Sequence, residues 1–238
     1  MSSAQLWDGH FVIEGNDARH LATVRRAKPG DRIRAGDGQG RVLEAVIEMV
    51  GEGRIHAEVT AEKGVAPPRP FVTVFQGLAK QGKVDLAVQK MTELGIDEVV
   101  VFAAGRSVPR WEEAKRAKMT ERWTQVAYEA AKQSHRAWLP QIDGPLEPEE
   151  AVGRASMAEL FLVASPSAAK SLRQVLGKGL PSSVALVVGP EGGLTDDEVL
   201  QFTGKGATPF ALGSQILRTE TAGLAISSIL MFHFGRLG

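Results

Sequence analysis

The sequence predicts an α/β protein: a small β domain over residues 1–68, then a domain over 69–238 built on a parallel sheet covered by helices. Three observations carry this reading. Residues 54–62 alternate apolar and polar side chains with a period of two, the mark of a half-buried strand, and residues 41–50 are also strand-like. The stretch "GVAPPRP" (64–70) then interrupts any ladder, because proline lacks the N–H that a central strand needs. Beyond it, short apolar runs alternate with segments of helical period, the pattern of a parallel sheet buried on both faces.

Taken in order, "RVLEAVIEMV" (41–50) and "RIHAEVTAE" (54–62) are strands, the second with Ile55, Ala57, Val59 and Ala61 on one face. "GEG" (51–53) and "AGDGQG" (35–40) are turns. Several short strands with tight turns make residues 1–63 an all-β segment and predict a small barrel. The proline-rich stretch is the linker. "FVTVFQ" (71–76) is a buried strand. Residues 80–94 are a helix, with Val84, Val88 and Met91 on one stripe and Gly95 as its stop. "EVVVFAA" (98–104) is a strand, and a long helix over about 112–136 carries Trp123, Val126, Ala127 and Ala130. "LFLVAS" (160–165) is a strand, followed by a helix from Ser167 to Leu176 closed by Gly177. "SVALVVG" (183–189) is a strand, and Thr195 to Phe202 a short helix with Thr195 and Glu198 at capping-box spacing. "PFALG" (209–213) is the last strand, and "TETAGLAISSILMFHF" (219–234) a last, largely buried helix.

The 28 basic and 28 acidic residues cancel, so no global field draws polyanions, and charge placement matters more. Between Arg19 and Arg34 six cations face Asp31 alone. Between Arg106 and Arg136 eight cations face four glutamates. Each is either a solvated face or half of a polyanion footprint. The absence of cysteine excludes disulfides, thiolate metal sites and thiol nucleophiles. The five histidines are scattered without ligand spacing, so no metal is expected. "MSSAQLWDGHF" has no basic start followed by an apolar core, and no apolar run is long enough to span a membrane, so a cytoplasmic location is expected.

Two glycine-rich corners stand out: "VVGPEGGLTDDEV" (187–199) and "ALGSQILRTETAG" (211–223). Both follow strands of the second domain, and in parallel sheets ligands sit beyond the carboxyl ends of strands. Glycine lets backbone approach a ligand, whose edges N–H and C=O groups can then read. The plain alternative is a pair of strand-to-helix turns. The dinucleotide, P-loop and nucleophile-elbow fingerprints are all missing. Spacing alone ends at a ligand-binding α/β domain with a small β domain.

The two corners together closely resemble the signature of the 16S ribosomal RNA uridine-N3 methyltransferase family, in the SPOUT superfamily of knotted S-adenosylmethionine enzymes. "RHLATVRRAKPGDRI" (19–33) resembles that family's N-terminal PUA-like barrel, and "VDLAVQKMTELGIDEV" (84–99), "GRSV" (105–108) and "YEAAKQSHR" (128–136) its central segments. The short arginine-containing start common in the family is missing here. The resemblance implies a C-terminal trefoil knot and a homodimer with each active site at the interface, acting on 16S rRNA of the small ribosomal subunit. It implies S-adenosyl-L-methionine held by Leu186, Val188, Gly189, Glu191, Gly192, Gly193, Leu212, Gly213, Ser214, Ile216, Leu217 and Thr219. RNA contacts fall on Arg19, His20, Arg25, Arg26, Lys83, Arg106, Gln133 and Arg136.

Uridine N3 is a poor nucleophile until its proton leaves, and the charge that develops spreads onto O2 and O4. A fixed guanidinium aimed there would act as an oxyanion hole does, and Arg218 is the candidate. Glu129 or Glu220 accepts the proton, and the sequence does not choose. Two rivals share these features: a SPOUT enzyme acting on a ribose 2′-oxygen or another base, and a non-enzymatic RNA-binding protein of the same fold.

Overall fold

The computed structural model describes residues 8–80, 82–107 and 111–237. The first seven residues, Val108 of the "GRSV" segment and Arg110 of the second basic segment lie outside the described residues. The chain forms two compact units, residues 1–67 with 136–138, and residues 68–135 with 139–238. The return of 136–138 to the first unit is an excursion that no sequence pattern marks.

The first unit holds an antiparallel sheet of β1 (His10–Ile13), β2 (Arg32–Gly36), β3 (Arg41–Gly51) and β4 (Arg54–Gly64), in the order β1-β4-β3-β2. It is not all-β. A short helix α1 (Gly15–Arg19) runs into a π-helical turn, His20–Val24. Ala18 and Leu21 stand three residues apart, a helical spacing, and both pack on Ile47 and Ile55. A second core joins Phe11, Leu43, Ala45 and Ala57. The expected inward face of β4 stops at Val59. Val59 pairs with Ala45 but Ala61 pairs with Glu44, so Thr60 is an extra residue in the ladder. A one-residue bulge reverses the side-chain parity beyond it, and Ala61 is exposed.

In the second unit six parallel strands lie in the order β10-β8-β9-β5-β6-β7. They are β5 (Phe71–Gly77), β6 (Glu98–Phe102), β7 (Gln141–Leu146), β8 (Leu160–Ala164), β9 (Ser183–Val188) and β10 (Thr208–Phe210). Successive side chains point to opposite faces. Val72, Val74, Val99, Val101, Leu162, Val184 and Leu186 build one core with α2 (Lys83–Leu94), α3 (Glu113–Gln133) and α7 (Thr219–His233). Phe75, Val100, Phe102, Val163, Ala185 and Val187 build the other with α4 (Pro148–Ala155) and α6 (Asp196–Gly204). Gly95 ends α2 with a left-handed φ of 95°. Thr195 caps α6 in a capping box with Glu198. At the far end of α7, Arg236 donates to both carboxylate oxygens of Asp97 (2.6 and 2.9 Å) and to the carbonyls of Pro70 and Gly95.

Besides α1 in the first unit, three elements of the second unit depart most from the sequence expectation. β7 and α4 were not foreseen. Gly144 and Pro145 argue against a strand, but β7 lies at the sheet edge, where a missing N–H breaks no central ladder. α4 begins with Pro148 at its first turn and a Glu147/Glu150 capping box. The helix expected over Ser167–Leu176 shrinks to α5 (Leu172–Val175). Its first half is turn and bend instead, and it ends in a β-bridge between Ser171 and Ala211. The amide of Ala211 donates to the carbonyl of Lys170 (2.8 Å), and that of Leu172 to the carbonyl of Ala211 (3.1 Å).

Candidate active site

The first corner leaves β9 at Gly189 and folds hard against the end of β5. A Cβ on Gly77 would lie 2.4 Å from the backbone nitrogen of Pro190, so only glycine permits this approach. A Cβ on Gly189 would lie 2.8 Å from the nitrogen of Leu194. The turn closes through the amide of Gly193, which donates to the carbonyl of Pro190 (2.9 Å). Arg106, in the loop after β6, donates from Nη1 to the carbonyl of Gly192 (3.0 Å). Beside it the amide of Gly105 donates to the capping carboxylate of Glu198 (2.7 Å). Glu191 accepts from the amide of Lys80 (3.1 Å) and from Nζ of Lys83 (3.1 Å). Partial burial pushes its carboxyl up, but its own amide, that of Lys80 and the Lys83 ammonium outweigh this and hold it below the ordinary value of 4.5.

The second corner leaves β10 and is open. Leu212 packs against the core, whereas Gly213 to Ile216 are exposed, Ile216 to 85 %. Leu217 is half-buried. Arg218 is the N-cap of α7, and its carbonyl accepts the amide of Ala222 (2.7 Å). Its exposed side chain has no hydrogen bond or ion pair among the described residues.

β8 separates β9 from β10, so the corners do not follow adjacent strands. They meet through the start of α7. Buried Thr219 donates its hydroxyl proton to the carbonyl of Gly189 (2.6 Å). Its oxygen must therefore accept, and it does so from Nε2 of Gln76 (2.7 Å), which fixes the orientation of that amide. Oε1 of Gln76 is buried without a hydrogen bond and faces Gly223, where a Cβ would lie 2.9 Å away. Glu220, the next residue of α7, has its Oε2 buried and 3.7 Å from Nζ of Lys83.

Of the residues singled out in the sequence, the fold thus brings Gly189, Glu191, Gly192, Gly193, Thr219, Glu220, Lys83 and Arg106 together. Leu186 and Val188 have their side chains in the core, leaving only backbone to face the corner. Glu129 does not join it: its partners, Gln125 and Lys132, lie on its own helix. Gln133 is exposed at the end of α3. Arg136 belongs to the first unit, with exposed Arg19, His20, Arg25 and Arg26. Gln76 and Lys80 were missed. A glutamine closing an otherwise apolar strand run was the available signal, because a buried polar side chain must find partners.

The two basic segments diverge. In the first, Arg19, Arg25, Arg26, Lys28, Arg32 and Arg34 make no ion pair among the described residues, and all are exposed. In the second, Arg116 pairs with Glu147, Arg122 with Asp85 and Lys132 with Glu129, while Lys115 lies over the Trp111 ring at 4.6 Å. Among the described residues, no group of three or more His, Cys, Asp or Glu side chains is placed to hold a metal, and no helix is long and apolar enough to cross a membrane.

The arrangement offers tightly turned backbone, apolar side chains, two carboxylates on one ammonium and an unengaged guanidinium. Such a set suits a small ligand with a polar edge beside a reaction that develops negative charge. Comparison with known proteins gives this a family. An RNA methyltransferase domain model matches residues 67–231, and an RNA methyltransferase PUA domain model matches residues 13–60. The ribosomal RNA small subunit methyltransferase E of Mycobacterium bovis is 38% identical over 215 residues, covering 89% of this chain and 82% of that protein. The protein of the same name from Bacillus subtilis is 34% identical over 229 residues, covering 92% and 89%. The structure of the Neisseria gonorrhoeae ribosomal RNA small subunit methyltransferase E bound to S-adenosyl methionine superimposes with a TM-score of 0.85 at 27% identity, over 97% of this chain and 95% of that one. With a domain model spanning most of its length and relatives more than a third identical over nearly all of it, this chain belongs to the RNA methyltransferase family that includes the ribosomal RNA small subunit methyltransferases E.

Proposed function

We propose that this chain transfers a methyl group from S-adenosylmethionine to N3 of a specific uridine in 16S ribosomal RNA, acting on the small ribosomal subunit. Family membership supports the reaction class, and the gonococcal relative bound to S-adenosyl methionine supports the donor. One observation carries the assignment to this site: the hydrogen-bonded path from Gln76 through Thr219 to Gly189, which joins the two motif-bearing corners into a single site.

The residues present fit the donor. Backbone groups of Gly189 to Gly193 can read an adenine edge, and the apolar side chains of Leu212, Ile216 and Leu217 can cover its ring. Gly213 leaves room, since a Cβ there would have only Oε1 of Gln215 within 4 Å. When bound, S-adenosylmethionine supplies an electrophilic methyl group on a positively charged sulfur. Arg218 stabilises the negative charge that spreads onto the uracil oxygens as N3 loses its proton. Glu220, two residues further along α7 and beside the joined corners, is the proton acceptor favoured over Glu129, whose partners lie on its own helix α3. The unpaired cations of the first unit contact RNA phosphates, which position a substrate without reading its sequence.

The active form in this reading is a homodimer in the cytoplasm. Ile229 and Phe232 leave an apolar strip on α7 that is 41 % and 72 % exposed in one chain, suited to a second copy. The N-terminal sheet belongs to a PUA-like barrel, and the segment through both corners takes the trefoil-knotted path of the SPOUT enzymes. The test is transfer of tritiated methyl to small subunits followed by nucleoside analysis. Recovery of 3-methyluridine supports the reading. A 2′-O-methyl nucleoside would refute the position, and no transfer with RNA binding intact would refute the activity.

A further inference from the structure

Sequence resemblance puts Lys83 among the RNA contacts, but its surroundings give it different work. Lys83 opens α2, directly after the left-handed Gly82. Its side chain is 30 % exposed, and its ammonium lies between two carboxylates, 3.1 Å from Oε1 of Glu191 and 3.7 Å from Oε2 of Glu220. Glu191 belongs to the first corner. Glu220 follows Arg218 and Thr219 at the point where the second corner enters α7. The three groups therefore connect the start of α2, the corner after β9 and the start of α7. Each carboxylate has only this ion pair among the described residues. An ammonium already shared between two carboxylates has little net charge left for a phosphate.

We propose that Lys83 is a positioning residue: its ammonium clasps Glu191 to Glu220 and so holds the donor-side corner in register with the helix start that carries Arg218. Without it, two carboxylates face each other unneutralised, and the corner and the helix start are pushed apart. The amide of Lys80 still holds Glu191, and Thr219 still holds Gly189, so the fold survives while the alignment of the corners is lost. The clasp rests on the reading that the two corners bind S-adenosylmethionine. It adds that this binding depends on a cation which never touches RNA.

The test uses the full-length protein, S-adenosylmethionine titrated by calorimetry, and 16S rRNA binding measured against salt. Lys83→Met is expected to weaken donor affinity about tenfold, the scale of coupling between residues in one ion-pair network. Lys83→Arg is expected to restore most of it. Glu191→Gln combined with Lys83→Met is expected to be no worse than Lys83→Met alone, because the pair acts as a unit. The salt slope of RNA binding is expected to stay that of the unaltered protein. Donor affinity unchanged in Lys83→Met overturns the clasp. So does a salt slope shallower by about 0.7–0.9, the mark of one lost phosphate contact. Failure of the unaltered protein to bind the donor overturns the functional reading itself, and the clasp's role with it. A global loss of structure in Lys83→Met, judged by thermal unfolding, is separated from misalignment by Lys83→Arg: a folded Lys83→Arg protein with no recovered donor affinity also overturns the proposal.

Discussion

The two corners are built on opposite plans. The first is braced from every side: by the end of β5 at Gly77, by Arg106, by the capping network of Glu198, by the ammonium of Lys83 and by the hydroxyl of Thr219. The second has four consecutive exposed residues, Gly213 to Ile216, and an arginine with no partner among the described residues. Both read alike in the sequence, as glycine with charge at the end of a strand. The contrast implies that the first corner is a preformed surface, whereas the second gains its order from what it touches. Preorganised groups lose less entropy on binding, and a free side chain can be committed to the transition state.

The strongest way to break this contrast is Arg218→Ala. It should slow single-turnover methyl transfer by about 10²–10³-fold, the range for losing one oxyanion-type donor, with donor affinity nearly unchanged. A parallel loss of affinity by calorimetry would make the second corner a binding surface instead. Next is a pair of glycines. Gly77→Ala drives a methyl into the backbone of Pro190 and should cost about 3 kcal/mol or more of stability, with donor binding lost. Gly213→Ala meets only the tip of Gln215 and should shift stability by less than about 0.5 kcal/mol. Equal melting shifts would mean that the corners are equally braced. The basic segments offer a third comparison. Arg25→Ala with Arg26→Ala should make the salt dependence of RNA binding shallower by about 1.4–1.8 in log–log slope. Arg122→Ala, which removes a cation already paired with Asp85, should leave that slope alone. The smallest effect is set by pH. The Glu191 carboxyl titrates below its unfolded value, so its contribution is complete above pH 4.5 and fades as pH falls through the depressed folded value. The melting difference between the unaltered protein and Glu191→Gln should therefore close only on the acid side of 4.5.

Much of the second unit was legible because its strands are buried on both faces. β5, β6, β8 and β9 read as apolar runs, α2 carries its own stop and α6 its own cap, and α7 is a long, largely apolar stretch. What stayed hidden had a physical reason in each case. β7 tolerates Pro145 because it is an edge. Ser167 to Lys170 have helical composition, but a turn at Ser165 and the hold of Ala211 on Lys170 and Leu172 outweigh local preference. Thr60 inverts the end of β4 through an insertion that no alternation pattern reveals. For the site, the glycines and charges of both corners were visible, since chemistry concentrates them in sequence. The brace was not, because Gln76, Lys83, Arg106 and Thr219 come from four separate stretches and only the sheet order brings them together. Charge counting also misled in one respect. The second basic segment looked comparable to the first, yet its fold satisfies most of its cations internally.

Gly223 has a practical consequence for anyone trying to make this protein more heat-resistant. Exchanging helical glycines for alanine is a standard route, since each exchange removes about 0.5–1 kcal/mol of unfavourable backbone entropy. At Gly153 in α4 the route is open, because a Cβ would have nothing within 4 Å, and the alanine variant should melt higher. At Gly223 the same exchange sets a methyl 2.5 Å from Cε of Met91 and 2.9 Å from Oε1 of Gln76, the amide that orients Thr219. A library chosen on helix propensity alone would treat the two glycines alike. One screened on methyl transfer should keep the alanine at position 153 and discard it at position 223.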